Sequence, residues 1–207
     1  MISTSFENAN AKVLVWEITE SETELISLLD NFSVYAAEYA LLKNSKRRIE
    51  FLVVRIVLNL LTKEQSEIIY DKNGKPFIRN SSIQMSVTHS GSWVAVIIHP
   101  SFVVGIDIEC HTSRFNALYT RFLTLKEQSE LYSPQNIRKV EIAWSAKEAL
   151  YKIIGSDAVS FDKDLEIQNF ELAPKGDFVG VHIPKGKEYR LYYTSNDFFN
   201  LVYCIAQ

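Results

Sequence analysis

The sequence predicts an α+β protein built as a pseudo-dimer, two similar-sized lobes with antiparallel sheets and a site at their interface. Three observations carry this. The chain twice runs through helical periodicity into alternating, strand-like segments. Its 207 residues, 47% of them hydrophobic, suffice for two small cores packed on one another. The richest chemistry lies next to the midpoint, where such lobes meet and pockets form. The division is expected near 99–103, giving an N-terminal lobe of residues 1–102 and a C-terminal lobe of residues 103–207. The likeness of the halves is coarse, with no residue-level repeat.

In the first half, Lys12 to Thr19 alternates as a strand, and Ser21-Glu22-Thr23-Glu24 makes a capping box opening a short helix. A second helical run covers about Val34 to Lys43. A third follows, in which Ile49, Leu52, Val53, Ile56 and Leu60 recur at helical spacing and bury one stripe. Lys46, Arg47 and Arg48 stand at its start, where the helix dipole is already positive. That is mildly unfavourable unless an anion binds nearby, the ordinary alternative being a solvated basic turn. An Asn73-Gly74 turn precedes two strand-like runs, Ile83 to Thr88 and Trp93 to His99, joined through His89-Ser90-Gly91-Ser92. A histidine and hydroxyls at such a turn either donate to phosphate oxygens or satisfy the turn's own backbone.

Val104-Gly105-Ile106-Asp107-Ile108-Glu109 then alternates apolar and acidic residues with strand period, so Asp107 and Glu109 share a face. Thr124 with Glu127 makes another capping box, for a helix ending before Pro134. The next helix begins near Ile137, with Val140, Ala143, Leu150 and Ile154 on one side and Glu141, Ser145, Glu148 and Lys152 on the other. Gly155 is its expected stop. Three acids and one amine therefore converge if the strand and this helix meet, and hard oxygen ligands of that kind suit Mg2+ together with substrate phosphates. Four alternating runs near 165–172, 178–183, 189–194 and 201–206 form an antiparallel meander with no evident chemistry.

Composition narrows the classes. A net charge of −3 with mixed signs argues against a general nucleic-acid or membrane-surface binder. No apolar run approaches a membrane span, and 1–10 lacks a signal-peptide core, so a cytoplasmic protein is expected. Cys110 and Cys204 have neither disulfide-framework nor zinc spacing. With seven glycines and no glycine-rich phosphate loop, any phosphate must be held by side chains and a metal.

Gly105-Ile106-Asp107-Ile108-Glu109 and Trp144-Ser145-Ala146-Lys147-Glu148-Ala149-Leu150-Tyr151-Lys152 together resemble the two signature motifs of the 4'-phosphopantetheinyl transferases. Three subsidiary blocks resemble the family in the same order: Arg48 with the helix through Arg55, Asn73-Gly74-Lys75-Pro76, and Ser86-Val87-Thr88-His89-Ser90-Gly91. The likeness covers about residues 43–155, and the length is similar to the larger, two-lobed, monomeric type that activates surfactin synthetase. The resemblance implies transfer of the phosphopantetheine arm of coenzyme A to a serine of an acyl or peptidyl carrier protein, releasing 3',5'-ADP. Carried over by position, Asp107, Glu109 and Glu148 would hold Mg2+, while Arg48 and His89 would bind the 3'-phosphate. Lys75, Pro76 and Thr88 would line the adenine and ribose side. Lys152 would contact the pyrophosphate and protonate the leaving group, and Glu148 would take the serine proton.

One departure from the family pattern follows Lys152, where a Gly-Lys-Gly-like turn is common and this chain reads Ile153-Ile154-Gly155-Ser156-Asp157-Ala158-Val159. Two rival readings use the same residues. A metal-dependent nuclease would want a lysine two residues beyond the second acid, where His111 stands. A catalytically impaired relative acting as a binding module for carrier protein or coenzyme A is the other, and the presence of all three acids and Lys152 argues against decay. Arg114, Arg121 and Lys126, interleaved with Phe115, Leu118, Tyr119 and Phe122, form a candidate docking patch for an acidic carrier, the alternative being that the aromatic residues are core.

Overall fold

The structure, a computed structural model, describes residues 2–30, 32–155 and 159–206. Strands β1 (Ile2–Asn8) and β2 (Ala11–Glu17) form a hairpin, and α1 (Glu22–Ser27) follows with the expected Ser21–Glu24 capping box. The run expected as one helix over 34–43 is shorter, a 3-10 turn at Phe32–Val34 and then α2 (Ala36–Ala40). The long α3 (Ser45–Thr62) is capped by Asn44, whose side chain accepts from the Arg47 amide. A small hairpin of β3 (Ile68–Tyr70) and β4 (Pro76–Ile78) turns through Asn73-Gly74, where the Asp71 carboxylate accepts the amides of Asn73 and Lys75. Then come β5 (Gln84–Ser90), β6 (Trp93–His99) and β7 (Val103–Cys110).

The rest of the chain supplies α4 (Phe115–Leu118), α5 (Leu125–Leu131), α6 (Arg138–Ile154), β8 (Leu165–Ile167), β9 (Lys175–His182), β10 (Lys187–Ser195) and β11 (Phe199–Ala206). Gly155 ends α6 in the left-handed conformation expected of it, φ 64°. Ser156, Asp157 and Ala158, the core of the altered turn, lie outside the described residues.

The fold is mixed α+β, and every strand pair is antiparallel among the described residues. One sheet runs β1-β2-β6-β5 and the other β7-β11-β10-β9-β8. Alternation in the strands explains how they stack. On β6, Val94, Val96 and Ile98 pack with Leu52, Val53, Ile56 and Val57 of α3. Trp93, Ala95 and Ile97 point the other way, into a core with Val104, Ile106 and Ile108 of β7 and Phe199, Leu201 and Tyr203 of β11. All seven residues of β6 are consequently buried. The third core lies between α6 and the outer face of the five-stranded sheet, where Ala143, Ala146 and Leu150 meet Leu191, Val202 and Cys204.

That stacking sets β7 between two neighbours. Its apolar residues enter the shared core, so Gly105, Asp107 and Glu109 must face α6. A side chain at 105 would have no room, because a Cβ there would lie 2.1 Å from the Ala149 carbonyl oxygen. Glycine at this position lets the helix approach the strand two residues before the first acid, on the same face.

Candidate active site

Asp107 is 6% exposed, and its two oxygens have different surroundings. Oδ1 accepts from the Thr88 hydroxyl at 3.0 Å and from Lys152 Nζ at 3.1 Å, whereas the buried Oδ2 has no partner among the described residues. Lys152 also donates to the Ile106 carbonyl at 2.6 Å, bridging α6 to β7. Glu109 accepts from Ser90 Oγ at 3.0 Å on one oxygen, and from Arg114 at 2.6 Å and the Trp144 indole at 3.2 Å on the other. Its carboxyl is nonetheless pushed above the usual range, by burial first and then by the Asp107 charge. Glu148, half-buried one turn before Lys152, is pushed up to about 7, again by burial first, with the charges of Asp107 and Glu109 adding and Lys152 opposing.

The three acids thus lie within electrostatic reach of one another, as the strand and helix periods require. Among the described residues, no three His, Cys, Asp or Glu side chains converge closely enough to cage an ion unaided. The donors nevertheless fit a hard cation that completes its shell with water and ligand oxygens, since they are all carboxylate and one buried oxygen lacks a partner. An unsatisfied buried carboxylate oxygen is costly in a resting protein, and a bound cation relieves that cost.

A basic group lies beside the acids. His89 Nε2 accepts from Arg47 Nη1 at 3.0 Å, and His89 Nδ1 approaches Glu50 Oε1 at 3.3 Å, which assigns the Nδ1–H tautomer. Burial pulls the imidazole pKa down, the Glu50 charge opposing. Arg47 also reaches Glu50 at 3.2 Å, so a buried carboxylate orients both the guanidinium and the imidazole. Arg48 is not brought to His89. It turns toward α1, donating to Glu22 at 2.9 Å and to the carbonyls of Leu42 and Lys43, while Tyr39 donates to the same Glu22 oxygen.

Two cavities adjoin at Gly74, Pro76 and Val87. One of 380 Å3 is lined by Arg47, Glu50, Phe51, Arg55 and His89. The other, of 480 Å3, is lined by Lys75, Pro76, Ser86, Tyr151 and Lys152. Burial lowers the pKa of the Lys75 amine. Thr88 borders neither cavity; it is buried against Asp107. Arg55, fully buried, pairs with Glu38 at 2.7 Å and stacks on Phe51, with its Nε lacking a partner among the described residues.

The docking-patch residues divide. Phe115 and Phe122 are core, Arg114 is committed to Glu109, Lys126 pairs with Glu166, and Arg121 is exposed. His111 meets Glu141 and Arg138, tying the end of β7 to the start of α6. Glu141 and Ser145, expected on a polar face, are buried.

Sequence reasoning left open whether Arg47 or Arg48 contacts the 3'-phosphate, and gave no role to Glu50, Trp144 and Lys147. The i, i+3 spacing of Arg47 and Glu50 was a usable signal. Lys147 is fully buried, and its ammonium reaches Glu127 at 2.6 Å and the carbonyls of Phe122, Phe161 and Leu165, each at 2.8 Å. It therefore anchors to α6 the segments that flank it in sequence.

Acids on a strand facing a helical carboxylate and amine, beside a cavity lined by Arg47 and His89, are an arrangement with the chemistry to hold a polyanion together with cations. The family model for the 4'-phosphopantetheinyl transferase superfamily matches residues 103–198. Similar curated proteins include 4'-phosphopantetheinyl transferase AcpT of Salmonella typhi, 30% identical over 128 residues, which are 58% of this chain and 67% of that protein. The protein of the same name from Escherichia coli (strain K12) is 30% identical over 118 residues, 54% of this chain and 60% of the relative. A putative 4'-phosphopantetheinyl transferase of Haemophilus influenzae is 28% identical over 118 residues, 53% and 50% respectively. The chain belongs to the 4'-phosphopantetheinyl transferase superfamily.

Proposed function

We propose that this chain is a Mg2+-dependent 4'-phosphopantetheinyl transferase of the holo-[acyl-carrier-protein] synthase type, EC 2.7.8.7. It moves the phosphopantetheine arm of coenzyme A to a serine of an acyl or peptidyl carrier protein and releases 3',5'-ADP. The observation that carries the reading is the partnerless Oδ2 of Asp107 beside Glu109, Glu148 and Lys152, in a chain of this superfamily. We further read the molecule as a monomer of two lobes, 1–102 and 103–207, with the reaction at their junction and in the cytoplasm.

In this reading the cavity beside Arg47 and His89 takes the 3'-phosphate, with Lys75 and Pro76 next to the nucleoside. Arg47 replaces Arg48 in this role, because Arg48 is held by Glu22. Asp107, Glu109 and Glu148 would hold Mg2+, which when bound neutralises pyrophosphate charge. The serine oxygen attacks the phosphorus that carries the pantetheine, and the bond from that phosphorus to the bridging oxygen breaks. The electron pair leaves on 3',5'-ADP. Glu148, directly or through water, accepts the serine proton. Lys152 donates a proton toward the leaving oxygen. Arg114 must release Glu109 or remain as a second cation when the pyrophosphate arrives.

The test is mass spectrometry of apo carrier protein incubated with enzyme, coenzyme A and Mg2+. Addition of one phosphopantetheine per carrier, abolished by chelator, is the expected result. No mass change on any acyl or peptidyl carrier, with coenzyme A still bound, would favour the binding-module alternative.

A further inference from the structure

β5 and β7 are the last strands of their respective sheets, yet they lie side by side without a backbone ladder. Ser86, Thr88 and Ser90 bridge the gap. Ser86 Oγ accepts from the Ile106 amide at 3.3 Å, Thr88 Oγ1 from the Ile108 amide at 3.2 Å, and Ser90 Oγ from the Cys110 amide at 3.1 Å. These amides belong to the edge of β7 turned away from β11, and strand period brings one hydroxyl to each.

A hydroxyl has one proton to give and two lone pairs. Once a lone pair is engaged by an amide, its proton must go elsewhere. Thr88 donates its proton to Asp107 and Ser90 donates to Glu109, each at 3.0 Å. Ser86 faces the one position, Gly105, that has no side chain to receive it. We infer that the hydroxyls of Thr88 and Ser90 are positioning residues, which use the β7 backbone as a ruler to set the two carboxylates in the orientation that receives the divalent cation. Thr88 and Lys152 both engage Oδ1 of Asp107, which turns Oδ2 out as the free ligand. A seam that served only to join the sheets would need the accepting half of each hydroxyl. The donating half is what the carboxylates use.

The inference rests on the metal-site reading above, and the experiment separates the two. Binding of Mn2+ to the enzyme in the presence of coenzyme A is measured by calorimetry for wild type, Thr88→Val, Thr88→Ser and Ser90→Ala, with melting temperatures and the Mg2+ concentration for half-maximal rate alongside. Loss of an outer hydrogen bond to a metal ligand characteristically weakens metal affinity about 10- to 100-fold. Thr88→Val is expected to weaken Mn2+ binding at least about tenfold and to raise the Mg2+ requirement in parallel, while Thr88→Ser stays within about threefold of wild type. A Thr88→Val enzyme that melts earlier but binds Mn2+ like wild type overturns the positioning role and leaves only the seam. Should that variant not fold, Ser90→Ala, at a half-buried position, decides on the same criterion. Absence of Mn2+ binding by the wild type overturns the metal-site reading itself.

Discussion

Replacement of Lys147 by methionine should destabilise the fold more than any single change at the candidate active site. The ammonium has three protons and four acceptors, so one proton is shared, and every acceptor is buried or nearly so. Its carboxylate partner Glu127 is fully buried and otherwise receives the amides of Thr124 and Ile167. Methionine fills similar space but supplies no proton. Breaking a buried ion pair on one side costs about 3–5 kcal/mol, and the three carbonyls add to this. At about 2–4 °C per kcal/mol for a chain of this size, the melting temperature should fall by about 10–15 °C. Circular dichroism melts with matched urea titrations measure the effect, and the double variant Lys147→Met with Glu127→Leu should recover part of it by removing the stranded charge. A single variant that melts within about 3 °C of wild type would refute the argument, because the stranded carboxylate alone demands more.

Asp107→Ala, Glu109→Ala and Glu148→Ala should each cut kcat/KM at least about a hundredfold with the melting temperature nearly kept, and excess chelator should do the same to wild type; full turnover in chelator would remove the metal from the reaction. Arg47→Ala should weaken coenzyme A binding roughly ten- to a hundredfold, from about 1.5–3 kcal/mol for a charge-assisted contact, and much less for 3'-dephospho-coenzyme A. Arg48→Ala should instead lower stability through the lost Glu22 pair with KM unchanged, and the opposite pattern would return the phosphate to Arg48. Gly105→Ala must push β7 from α6, so it should cost about 1–3 kcal/mol and a larger share of activity; an unchanged melt would show that the strand yields freely.

The carboxylate arrangement was legible because two short periods define it. Alternation put Asp107 and Glu109 on one face, and helical spacing put Glu148 and Lys152 on another. The meander and both capping boxes followed from equally local rules. The choice between Arg47 and Arg48 was not local. Adjacent helical residues point in different directions, and which one meets His89 depends on α1 supplying Glu22 to the other. β1 was missed because an edge strand with Thr4, Ser5 and Glu7 exposed needs no apolar alternation. Lys147 was passed over since a helical lysine ordinarily lies in water, and its acceptors come from 122–127 and 161–165, beyond any local pattern.

The core that β6 shares with β7 and β11 has an implication for dissection of the chain. Severed between 102 and 103, each fragment would be left with a naked face, one displaying Val13, Val15, Ala95 and Ile97, the other Ile106, Ile108, Leu201 and Tyr203. Each face is built to be covered by its counterpart, so the pieces should behave as obligate partners, insoluble when expressed alone and reconstituted when coexpressed. Asp107 and Glu109 in the second piece would regain their hydroxyl partners only on reassembly, which makes recovery of metal affinity a direct gauge of docking.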